Sequence, residues 1–146
     1  MTTPSLRDSY LRWLARASGA LALPFVLIAL VQWASSSAWW SSGPAPEGAA
    51  RYLFLSAAVA SVVVGRNLRR RETAGPALAA AAARSLSWKL LAFALAPVTI
   101  GAVLAFMTRQ VLDFYAMLLV TLVGLALLFP RYDQWAEWTA SAPEVS

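Results

Sequence analysis

The stretch Arg66-Asn67-Leu68-Arg69-Arg70-Arg71-Glu72 separates two long apolar runs, and the way it is read decides how the chain folds. So dense a basic run stays out of hydrocarbon, whereas the uncharged segments beside it are built to enter it. Reading outward, the chain holds four apolar stretches, and ten of its twelve basic residues fall on one side of them. Arg7, Arg12 and Arg16 precede the first stretch, Arg66, Arg69, Arg70, Arg71, Arg84 and Lys89 lie between the second and third, and Arg131 follows the fourth. Only Arg51 and Arg109 fall on the other side. Short loops rich in Lys and Arg remain in the cytoplasm. The expectation is therefore an all-α integral membrane four-helix bundle, two antiparallel helical hairpins with interfacial N- and C-terminal segments and both termini cytoplasmic.

Composition agrees. The 146 residues are 60% hydrophobic, with a mean hydropathy of +0.60, against about 45–50% apolar for a soluble domain. One transmembrane domain over residues 1–146 accounts for the whole length. The net charge of +5 is carried at helix ends and in one loop, where topology and anionic lipid explain it, so nucleic acid is not expected as a partner. The chain has no Cys and no His, which excludes disulfides, thiolate and imidazole chemistry and the usual zinc and haem ligation. No cofactor is expected.

Along the chain, residues 1–16 read as an interfacial helix, with Leu6, Tyr10, Trp13 and Leu14 at helical spacing, Thr3 as its cap and Pro4 at its first position. A first span follows over 17–38, kinked at Pro24 and marked at its outer end by Trp33, Trp39 and Trp40. Ser36-Ser37-Ala38 resembles a leader cleavage site, but the apolar run before it is too long for a leader, so a permanent anchor is expected. The second span covers 49–67, where only fourteen uncharged residues lie between Arg51 and Arg66. Ala57, Ser61 and Gly65 recur at intervals of four and predict a smooth packing face, inside the bundle or between copies of the chain.

Residues 68–85 read as a basic and Ala-rich cytoplasmic loop, whose later part is either a short helix or an inner extension of the next span. The third span covers 86–107 with a kink at Pro97, and the fourth covers 110–129 and stops at Pro130. In the tail over 130–146, Tyr132, Trp135 and Trp138 continue a three-residue aromatic spacing begun at Phe129. That spacing predicts an aromatic belt or a docking surface.

Groups able to carry chemistry are sparse. Asp113 is the only acidic residue beside a span, and its spacing of four from Arg109 predicts a local ion pair near the outer surface. Ser18, Gln32, Ser56, Ser61, Thr99, Tyr115 and Thr121 are scattered, with no nucleophile, base and orienter converging. An enzyme is not expected.

The candidate contact residues are Arg66, Arg69, Arg70 and Arg71 with Tyr132, Trp135 and Trp138, meeting anionic lipid or a partner. They point to a non-catalytic accessory or assembly subunit, in a larger membrane complex or a homo-oligomer, that docks through its cytoplasmic face. The alternative is an oligomeric small transporter or channel. Its motivation is the equal spacing of Arg16 to Pro24 and Lys89 to Pro97, which reads as a two-plus-two repeat.

Overall fold

The computed structural model describes residues 5–37, 40 and 48–140. Among them are six helices, α1 (Leu6–Leu21), α2 (Leu23–Ser35), α3 (Gly48–Thr73), α4 (Ala80–Thr108), α5 (Val111–Leu128) and α6 (Tyr132–Ala140). Four spans are long and apolar enough to cross a membrane: α1 with α2 as one unit from Leu6 to Ser35, then α3, α4 and α5. The chain is an all-α, multi-pass membrane protein.

The centre of the bundle is α4, which packs against every other helix. Leu90, Leu91, Ala94, Val98, Ala102, Leu104 and Ala105 are all buried and line one broad face of it, while Val103 and Met107 on the other side are exposed. Of the four spans it buries the largest share of its residues. By contrast, α5 buries one face through Phe114, Met117, Thr121, Gly124 and Leu128, and turns Leu119, Leu122 and Val123 outward. Lipid is the solvent that tolerates such residues.

Glycines set how closely the helices approach. A Cβ at Gly101 of α4 would lie 2.5 Å from the Cβ of Met117 on α5. At Gly65 of α3 it would lie 2.7 Å from Leu128 Cδ1 and 2.9 Å from Phe93 Cβ. Both positions require the missing side chain. The tight α4–α5 connection has Arg109 in the left-handed region at φ 53, with the Gln110 amide donating to Thr108 Oγ1 at 3.3 Å.

Several boundaries differ from expectation. The interfacial helix expected over 1–16 and the span over 17–38 are instead joined, with the break at Ala22 rather than after Arg16. The cause is Pro24: without its N–H the Ala20 carbonyl has no i+4 donor, and the helix restarts with Pro24 in the first turn of α2. The observed cap is Ser5, whose Oγ accepts from the Asp8 amide at 3.2 Å. Thr3, Pro4 and Trp39, the loop 41–47 and residues 141–146 lie outside the described residues. Trp40, expected at the membrane boundary, is buried against Phe106, with ring centroids 5.5 Å apart.

The second span runs on to Thr73, because Arg, Leu and Glu are good helix formers and basic residues suit a helix C-terminus. The expected loop over 68–85 shrinks to residues 74–79 around Gly75-Pro76, and the alanines extend the third span back to Ala80. Pro97 sits inside α4 without interrupting it. Pro24 and Pro97 thus occupy unlike settings, one at a helix restart and one mid-helix, which weakens the case for a repeat.

Candidate functional site

The chain leaves α5 at Phe129 in extended conformation, and the buried Pro130 prevents the helix from continuing. The Arg131 amide donates to Gln134 Oε1 at 3.2 Å, which starts α6. Three bonds from three elements then hold the segment 130–140 against the bundle. Tyr10 of α1 donates its hydroxyl to the Pro130 carbonyl at 3.3 Å. Trp135 donates its indole N–H to Ser87 Oγ at 2.9 Å, and Ser87 donates in turn to the Ala83 carbonyl at 2.8 Å. Leu78, in the α3–α4 connection, donates its amide to the Trp138 carbonyl at 2.7 Å.

Rings fill the space between these bonds. Tyr10 meets Trp135 and Tyr132 edge-on, each at 5.5 Å, and Trp13 contacts Phe129 at 5.6 Å, Trp135 at 6.0 Å and Trp88 at 6.3 Å. Each such pair is worth about 0.5–1.5 kcal/mol beyond its buried area. Trp135 is fully buried and Trp138 nearly so. This corrects the expectation that they form a partner or lipid contact: they are internal, and only Tyr132 of the three stays exposed. The rings around Tyr132 and Trp135 are supplied by α1, at the other end of the chain.

The arginine cluster divides in the same way. Arg69 donates from Nη1 to the Leu127 carbonyl at 3.1 Å and sits 5.7 Å above the Trp138 ring, so it serves the C-terminus of α5 and the anchoring of α6. Arg66, Arg70 and Arg71 remain exposed. Arg66 and Arg70 line a cavity of about 340 Å³ with Arg69, Thr73 and Leu127. Lys89 of α4 reaches Glu72 of α3 at 3.9 Å, a contact between exposed groups.

At the opposite end, Asp113 pairs with Arg51 across helices α5 and α3, Nε to Oδ2 at 3.1 Å. The expected pairing with Arg109 needs a continuous helical turn, and the left-handed Arg109 and extended Gln110 break that turn. Gln32 donates to the Tyr115 hydroxyl and ties α2 to α5. The predicted small-residue face turns inward at Ser61 and Gly65 but not at Ala57. Ala57 is exposed, while Ala58, Val62 and Gly65 are buried and Ser61 is half-buried, so the seam faces α4 and α5 within the bundle.

Ser18, Thr99 and Thr121 bond back to carbonyls of the preceding turn. Among the described residues no three acidic side chains come together. At the basic end Arg66, Arg70, Arg71 and Tyr132 face outward, with Glu72, Lys89 and Asp133 exposed among them. No family model, curated protein or solved structure matches the chain.

Proposed function

We propose that the protein is a small non-catalytic membrane subunit that docks an acidic partner through its basic face, which lies in the cytoplasm with both termini. The observation that carries this reading is the anchoring of α6 by Tyr10, Ser87 and Leu78, which makes a preformed platform outside the spans. A surface already ordered loses little conformational entropy on binding. Arg66, Arg70, Arg71 and Tyr132 are exposed at this end, and Arg and Tyr are enriched among residues that dominate interfaces. The ten basic residues gathered at that end support this orientation.

The bundle interior favours this reading over transport. Three of its buried polar side chains, Ser87, Thr108 and Thr121, are already hydrogen-bonded within the protein, whereas a path for solute needs polar groups turned toward it. The test is native electrophoresis of the full-length protein extracted gently from its own membrane. A stoichiometric complex is expected, lost when Arg66, Arg70 and Arg71 are all changed to Glu. Migration alone in both cases, or solute flux from reconstituted liposomes, contradicts the proposal.

A further inference from the structure

A second basic cluster, separate from Arg66 to Arg71, lies between α1 and α4. Arg12 and Arg16 stand one turn apart on α1, and Arg84 sits in the second turn of α4. With Ser9, Trp13 and Trp88 they line a cavity of about 210 Å³. Among the described residues none of these arginines has a carboxylate within ion-pair distance. Arg12 uses one N–H on the Asp8 carbonyl at 3.2 Å, which leaves most of its fork of donors unused.

Trp13 supplies the second observation. It is 1% exposed, and its indole N–H has no acceptor. A buried donor without a partner costs about 1–3 kcal/mol, and three guanidinium groups around one cavity repel one another. An anion with several acceptor oxygens would meet the unused donors of the three arginines beside this ring. Arginine forks match phosphate in particular.

We propose that this cavity binds a phosphate group, carried by an anionic membrane lipid. The cavity lies at the basic end of the spans, where Trp88 is partly exposed as an interfacial tryptophan would be. Basic pockets between spanning helices at that depth suit lipid head groups. The site requires only that the protein sits in a bilayer, so it stands or falls independently of the docking function.

The test follows the Trp13 indole N–H resonance, assigned with Trp13→Phe, in full-length protein in nanodiscs. One arm raises the phosphatidylglycerol fraction; the other adds inorganic phosphate to phosphatidylcholine discs. The resonance is expected to shift with phosphatidylglycerol and not with millimolar phosphate. The response should be lost in Arg12→Gln/Arg16→Gln/Arg84→Gln and kept in Arg66→Gln/Arg70→Gln/Arg71→Gln, which removes the same charge. Dispersion of the other indole signals reports folding, and Arg84→Gln alone, expected to weaken binding about tenfold, serves should the triple variant misfold. A shift with phosphate alone overturns the lipid source. No shift in either arm, or equal loss in both triple variants, overturns the site.

Discussion

The Ser61 hydroxyl on α3 lies 3.4 Å from the main-chain oxygen of Phe93 on α4, the oxygen that Pro97 deprives of its helical donor. Its shorter contact is to the Ala58 carbonyl at 2.7 Å, so the one proton is shared between its own helix and the neighbour. A mid-span proline is tolerated where a neighbouring helix re-satisfies the freed carbonyl. Ser61→Ala should therefore destabilise the protein by about 0.5–1 kcal/mol, and by less when Pro97→Ala restores the helical bond. A double-mutant cycle from denaturation in detergent measures the difference; equal costs in both backgrounds contradict the link.

Close approach at Gly101 predicts a sharp contrast with Gly19. Gly101→Ala places a Cβ against Met117 Cβ, which cannot swing away, and should cost about 1–3 kcal/mol. Gly19 lies within α1 with nothing within 4 Å of an added Cβ, so Gly19→Ala should be neutral or gain up to about 1 kcal/mol. Thermal unfolding of the two variants side by side checks the sign of each.

The Arg51–Asp113 contact predicts which substitutions couple. Arg51→Gln and Asp113→Asn should be non-additive, with a coupling of up to about 1 kcal/mol, since the arginine is about a third exposed at 35%. Arg109→Gln should add independently to Asp113→Asn. Stronger coupling of Asp113 to Arg109 than to Arg51 rejects the cross-helix pairing.

Trp135 should matter for anchoring rather than for contact with a partner. Trp135→Phe keeps a ring and loses one hydrogen bond, at a cost of about 1 kcal/mol. Trp135→Ala empties the site, at about 3–5 kcal/mol, and should free residues 130–140. Hydrogen exchange of these amides in the two variants reads the distinction; unchanged protection in Trp135→Ala contradicts it.

What was legible in the chain was local. Apolar length and the run from Arg66 to Arg71 mark spans and their ends without knowledge of any neighbour, and Pro24 and Pro97 show where backbone donors are missing. What was not legible depends on partners distant in sequence. Trp135 reads as a membrane or docking aromatic until Ser87, 48 residues away, and Tyr10 and Trp13 are seen around it. Asp113 reads as a partner of Arg109 until α3 brings Arg51 across 62 residues. The small-residue seam fails at Ala57 while Gly65 is buried, because strict four-residue spacing drifts from the 3.6-residue helical period. The cavity of Arg12, Arg16 and Arg84 joins residues that a linear reading assigns to separate topogenic signals.

The docking platform is tested most directly by site-specific photo-crosslinking in the native membrane, with the probe at position 70, 71 or 132 and, as a lipid-facing control, at Leu122 on α5. The account predicts one discrete protein adduct shared by the three platform positions and none at 122. No adduct at the platform, or the same adduct at 122, contradicts it.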